Sequence, residues 1–149
     1  MKIPLHQYNA VIGHCRAEEE RGVEACGILY GPFRPQQLIT GMMRMNNTHE
    51  HPKYRWEFDR GQQVDTWMAL DKAGQRPWVI YHSHLDTDPV MSDDDERYAA
   101  NDPSIAHLIV SLSARTSRLW VATYRYTREL AFEVIGDPWV GERVPAEFD

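Results

Sequence analysis

The chain has 149 residues, with 16 Lys and Arg against 22 Asp and Glu, a net charge of -6 at pH 7. That length fits one domain with one core, and five Trp, seven Tyr and four Phe supply enough apolar area to exclude a disordered chain. The acidic balance argues against a general nucleic-acid binder, which needs a basic face to displace counterions, and no apolar run is long enough to span a membrane.

Leu5, Tyr8, Ile12 and Cys15 recur at helical spacing, so residues 5–20 are expected as an amphipathic helix that stops at Gly22. Ala25 to Tyr30 is a short apolar strand closed by Gly31-Pro32, and Leu38 to Met45 is a second strand. Asn46 to Lys53 reads as a loop, and Tyr54 to Phe58 alternates aromatic and charged residues like a strand. Val64, Trp67, Met68 and Leu70 support a helix over residues 60–73, ended by Gly74. Trp78 to Tyr81 follows Pro77 as four apolar residues in a row, which suggests a strand at the sheet centre, buried on both faces. Ser92 caps a helix to Ala100 whose first turn holds Asp93, Asp94 and Asp95, where the helix dipole favours anions. His107 to Leu112 is another buried strand, and its leading His107 should find a hydrogen bond. Leu119 to Tyr126 and Leu130 to Ile135 are expected as an antiparallel pair joined near Thr127-Arg128. The order predicts an α/β or α+β single domain over residues 1–136, a mixed sheet flanked by helices, with a loosely packed tail over 137–149.

Seven His in an acidic chain point at metal chemistry. His82 and His84 sit two apart at the end of the expected central strand, and extended backbone turns both imidazoles to one face. Asp95 returns at the start of the next helix as an oxygen donor. Two His and one Asp leave the fourth position of a tetrahedral zinc open, the arrangement a catalytic site needs. A general base is then required, and Glu24 stands before the Ala25–Tyr30 strand.

The spacing His82-Ser83-His84, Ser92, Asp95, with the upstream Glu24, resembles the signature of JAMM (MPN-type) zinc metalloproteases. Glu24-Ala25-Cys26-Gly27-Ile28-Leu29-Tyr30-Gly31, Asn46 with Trp56-Glu57-Phe58-Asp59, Ile109-Val110-Ser111-Leu112 and the strand around Trp120 extend the likeness over most of residues 1–135. The resemblance implies an MPN/JAB-like, deaminase-like sandwich. It further implies that His82, His84 and Asp95 bind one zinc, that Glu24 activates water and passes protons, and that Ser92 stabilises the oxyanion. The Glu-Ala-Cys-Gly stretch is most similar to small prokaryotic members, which remove cysteine or a short peptide from the C-terminal Gly-Gly of ubiquitin-like sulfur-carrier proteins. The segment Val90-Met91-Ser92-Asp93-Asp94-Asp95 is more acidic than in many such members, which leaves the carrier and leaving group open.

Competing readings belong to other classes. A metal-free MPN-type scaffold is a binding module, against which the complete ligand set speaks; a peptidase for unrelated peptides stays open. A zinc nucleobase deaminase expects His-x-Glu and Pro-Cys-x-x-Cys, and Cys15 and Cys26 do not supply them. Those two thiols make no disulfide framework and, with no secretory signal at the N-terminus, imply a cytoplasmic protein. Cys26, two residues past Glu24, is either a core thiol or close to the site. A second His-x-His, His49 and His51, reads as a solvated loop; His6, His14 and His107 read as surface or core residues. Asp86, Asp88, Asp93 and Asp94 form an acidic rim, and the aromatics at 54, 56, 58, 67 and 78 read mostly as core, with Tyr54 and Trp56 also candidates to line a groove. The pattern leaves the oligomeric state open, a homodimer included.

Overall fold

The computed structural model describes residues 1–123, 125–136, 143–144 and 147–148. In chain order its elements are β1 (Lys2–Pro4), α1 (Leu5–Glu20), β2 (Cys26–Pro32), β3 (Gly41–Met45), α2 (Arg60–Lys72), β4 (Gln75–His84), α3 (Asp93–Ala100), β5 (Ala106–Ser111), β6 (Thr116–Ala122), β7 (Thr127–Leu130), β8 (Glu133–Ile135) and β9 (Arg143–Val144). Six strands form a mixed sheet in the order β3-β2-β4-β5-β6-β7, and β1-β8-β9 form a small second sheet. The α+β class expected from the pattern is the one found.

Strand β4 organises the rest. Every residue from Pro77 to His84 is buried, because the strand has β2 antiparallel on one side, β5 parallel on the other, and helices over both faces. Its alternation sorts side chains between two layers. Val79 and Tyr81 join Tyr8, Val11 and Cys15 of α1. Ile80 joins Ile28, Leu70 of α2, Trp56 and Phe58 on the opposite face. Continuing that period puts His82 and His84 on the second face and Ser83 on the first. There the Ser83 hydroxyl accepts the Ala25 N–H at 2.8 Å and locks the start of β2 to the end of β4.

Pro77 does not bound this strand, as the sequence suggested. Register shifts between Leu29 and Tyr30, pairing Val79 with Leu29 and Pro77 with Tyr30 and leaving Trp78 out. That bulge accommodates a residue with no N–H to give to the ladder. Helices α1 and α2 stop where expected, at Gly22 and Gly74, whose φ of 71° and 67° lie in the left-handed region glycine tolerates.

Three other expectations are corrected. Residues 54–58 form no strand; one bridge, Asn47 to Phe58, holds that segment, because Trp56 and Phe58 are spent on the core rather than on a ladder. The closing pair is β6 with β7, turned at residues 123–126, and Glu133–Ile135 leaves that sheet to run parallel to β1, an N-terminal strand too short to show a period. His107 finds no hydrogen bond at Nδ1; its ring packs edge-on against Tyr98 at 6.1 Å, and burial lowers its pKa to about 4. His14, by contrast, is satisfied by the Tyr81 hydroxyl at 2.7 Å. Of the expected tail, residues 137–142, 145, 146 and 149 lie outside the described ones; β9 pairs with β8, and the Phe148 ring lies 5.3 Å from the Arg16 guanidinium. Among the described residues no helix is long and apolar enough to cross a membrane.

Gly27 makes the junction of β2 and β4 testable. A Cβ there would occupy the space of the Tyr81 ring end and the Met43 carbonyl. Gly27→Ala must therefore push Tyr81 off His14 or spread β3 from β2. The expected cost is about 1–3 kcal/mol, the usual range for overpacking, read as a lower urea midpoint at unchanged slope.

Candidate metal centre

The end of β4 and the first turn of α3 meet on the second face. His82 Nε2 lies 3.2 Å from His84 Nε2 and 3.2 Å from Asp95 Oδ2, and His84 Nε2 lies 3.3 Å from the same oxygen. All three residues are buried. The sequence produces this locally. Ser92 and Asp95 form a capping box: the Ser92 hydroxyl accepts the Asp95 N–H at 3.1 Å, and Asp95 Oδ2 accepts the Ser92 N–H at 3.0 Å. The cap fixes Asp95 three residues into the turn, with its carboxylate aimed at the histidines.

Supporting contacts set the protonation of this group. His84 Nδ1 donates to the Asp88 carbonyl at 2.9 Å, so its Nε2 is left as an electron-pair donor. Trp56 Nε1 donates to Asp95 Oδ1 at 3.2 Å, and the indole stacks on His82 with centroids 5.2 Å apart. Burial lowers the His82 pKa, against the pull of Asp95. For His84 burial also lowers, but the bonds to Asp95 and the Asp88 carbonyl win and raise it. Burial alone would raise Asp95; His82, His84 and the Ser92 N–H reverse this and hold its carboxyl well below the usual carboxylate range.

Glu24 arrives from the other side. Its N–H donates to the Pro52 carbonyl at 2.7 Å and its carbonyl accepts Asn47 Nδ2 at 3.0 Å, which fixes the chain just before β2. Glu24, His82 and His84 each bring one ligand atom within 4.8 Å of the others. Burial pushes the Glu24 carboxyl up to about 8, with His84 opposing and Asp95 adding to the rise.

The donor set fits a tetrahedral cation. Bonds of roughly 2.0–2.1 Å to N and O imply ligand separations of about 3.3–3.4 Å. The triangle His82, His84, Asp95 has sides of 3.2, 3.2 and 3.3 Å. Glu24 lies within 4.8 Å of the two His donors.

Other candidates fall elsewhere. Cys26 pairs with His82 across the ladder, but its thiol points into the apolar layer, 3.7 Å from the Met45 carbonyl, and burial pushes it up. Cys15 is likewise a core thiol, pushed up to about 12. His49 and His51 do not converge on a common ion: the ring of His49 accepts the His51 N–H at 2.8 Å, with ring centroids 6.1 Å apart. Of the acidic rim, Asp94 pairs with Arg55 at 3.1 Å, and Asp88 contributes through its carbonyl. A cavity of about 270 Å³ opens beside Asp95 and Ser92, lined also by His49, Tyr54, Arg55 and Trp56.

Two roles escaped sequence reasoning. Trp56 was expected in the core or lining a groove, and it is buried; what went unseen is that its indole N–H buttresses Asp95. Asn47 carried no signal beyond a loop position. Its side chain donates to the Glu24 and Arg55 carbonyls, both at 3.0 Å, and accepts the N–H groups of His49 at 3.0 Å and Glu57 at 3.2 Å.

Known proteins resemble this chain in sequence and in fold. Residues 6–123 match the family described as prokaryotic homologs of the JAB domain. A CysO-cysteine peptidase from Mycobacterium tuberculosis is 35% identical over 106 residues, covering 69% of this chain and 67% of that one. A desampylase from Haloferax volcanii is 30% identical over 115 residues, 75% of this chain and 81% of the relative. A protein from Desulfitobacterium hafniense shares the fold with a TM-score of 0.74 at 23% identity, over 92% of this chain and 94% of that one. A JAB1/MPN domain protein from Archaeoglobus fulgidus does so with a TM-score of 0.59 at 15% identity, over 90% and 98%. With a family match that runs from α1 through the end of β6 and takes in the His82, His84, Asp95 cluster, the chain belongs to the prokaryotic JAB domain family.

Proposed function

We propose that this chain is a zinc-dependent peptidase that hydrolyses the bond after the C-terminal Gly-Gly of a ubiquitin-like sulfur-carrier protein, releasing cysteine or a short peptide. The observation that carries the chemistry is the buried triangle of His82, His84 and Asp95 donors, 3.2–3.3 Å apart, with a protonatable Glu24 beside it. The substrate class rests on the names of the two relatives, a peptidase for a cysteine conjugate and a desampylase.

In this reading His82, His84 and Asp95 hold the metal, which when bound supplies a Lewis acid that acidifies water and polarises a carbonyl. Glu24 takes the proton of the attacking water and returns it to the leaving amine. Burial raises this carboxyl to about 8 without a cation, and a cation beside it would lower that, toward a value suited to both halves of the task near neutral pH. Ser92 is exposed and its oxygen accepts the Asp95 N–H, so its own O–H is left to donate to the carbonyl oxygen as negative charge develops. Trp56 and the Asp88 carbonyl hold Asp95 and His84 in place.

Purified protein is expected to carry one zinc per chain by elemental analysis, with most of it lost in His82→Ala and Asp95→Ala. Trp56→Phe keeps the stack on His82 but loses the indole donor, and should weaken zinc affinity by roughly 10–100-fold in a chelator competition. Full occupancy in all three variants excludes the assigned ligands.

Glu24→Gln should retain zinc and lose turnover by about 10²-fold or more. Ser92→Ala should retain zinc and lose roughly 10²–10³ in kcat, as for one oxyanion donor. A Ser92→Ala variant that loses only thermal stability would reduce Ser92 to a helix cap.

The substrate is tested with a sulfur carrier bearing a short C-terminal extension, followed by mass spectrometry. Trimming back to Gly-Gly is the expected result. An intact extension beside efficient cleavage of unrelated peptides assigns a different substrate class.

A further inference from the structure

The second His-x-His is held in a defined geometry beside the candidate site. His51 donates its main-chain N–H to His49 Nδ1 at 2.8 Å. An imidazole nitrogen that accepts carries no proton, so the His49 proton sits on Nε2, and the ring is a donor there. The backbone of His49 is held as well, its N–H donating to Asn47 Oδ1 at 3.0 Å. Asn47 in turn is tied to the Glu24 and Arg55 carbonyls at 3.0 Å, so the loop that carries His49 is registered against the candidate base. His49 is half-buried and lines the cavity that Ser92 and Asp95 share. No hydrogen bond to His49 Nε2 occurs among the described residues.

We propose that His49 is a specificity-determining residue whose Nε2–H donates to a main-chain carbonyl of the substrate tail in this cavity. The inference rests on the tail reading given above and adds to it a residue and an atom. A Gly-Gly tail offers no side chains, so main-chain N–H and C=O are its polar handles. A protein donor aimed at it takes a carbonyl oxygen. The cationic side chain lining the cavity, Arg55, is engaged by Asp94 at 3.1 Å. His49 offers a neutral donor with a fixed direction, and that preorganisation lowers the ordering cost of binding.

The test separates binding from turnover. Affinity of a synthetic peptide ending in Gly-Gly is measured by calorimetry on the zinc-loaded Glu24→Gln chain, alone and combined with His49→Ala, His49→Gln or His51→Ala. His49→Ala should weaken binding about 10-fold, the scale of one lost hydrogen bond. His49→Gln, which keeps a donor near the Nε2 position, should recover most of it, and His51→Ala, which keeps its main-chain N–H, should change nothing. On the cleaving chain, His49→Ala should raise KM by about 10-fold and leave kcat within about 2-fold, with zinc content unchanged. No peptide binding in any variant, equal loss in His49→Ala and His49→Gln, or an unchanged KM overturns the proposal. A chain that binds the peptide through His49 yet leaves the carrier conjugate uncut supports the proposal and overturns the peptidase reading instead.

Discussion

Three electron-pair donors held 3.2–3.3 Å apart at the buried end of a central strand are the constraint around which this fold is arranged. Burying a carboxylate beside two imidazoles costs free energy unless each polar atom is paired. The structure meets most of that cost with groups from separate parts of the chain. Asp95 takes N–H donors from Trp56 and from the Ser92 cap, and His84 gives its Nδ1 proton to the Asp88 carbonyl. His82 Nδ1 is left without a partner. A divalent cation at the centre of the triangle would offset the remaining crowding of lone pairs, which is why the donor set suits a metal better than it suits a stable apo core.

The sheet makes this arrangement rigid by giving β4 two different faces. On the α1 side, Tyr81 reaches His14 and Ser83 ties Ala25, so the strand cannot slide against β2. On the other side, the aromatic layer of Trp56, Phe58 and Tyr98 packs against His82 and its neighbours. A slip of one residue would exchange the two faces, sending both His to the α1 core and Tyr81 toward Asp95. Packing specificity and the geometry of the donor triangle are therefore one requirement, expressed on alternate residues.

The 46–58 segment adds the part that a strand and a helix cannot supply. Asn47 joins Glu24, the indole-bearing segment and His49 in one hydrogen-bonded unit. Such a loop combines exposure to substrate with fixed positions for the groups it presents, the usual condition for function on loops carried by a rigid scaffold. The acidic first turn of α3 stands on the same rim, partly neutralised by Arg55 at Asp94.

Local chemistry made much of this legible in the sequence. Glycine stops, the unbroken apolar run before His82, the two-residue spacing of the His pair and the Ser92 cap are each decided within a few residues, and each appears where expected. The family resemblance brought Glu24 to attention, and the fold places it within reach of the His pair. What tertiary structure alone decided involves partners far apart in sequence. The stretch at 54–58 alternates like a strand but is consumed by the core through Trp56 and Phe58. Residues 133–135 leave the expected hairpin because β1, three residues long and without periodicity, offers them a parallel edge. His107 Nδ1 is left without a hydrogen bond, and the ring packs on Tyr98 instead. Asn47 shows nothing unusual in one dimension, and the His49-x-His51 pattern names no partner, since a side chain's hydrogen bonds to distant carbonyls and amides leave no periodic trace. The sequence by itself determined which residues could bind and cap, through spacing and side-chain chemistry; the tertiary fold decided which of them face one another, because that depends on where the chain returns.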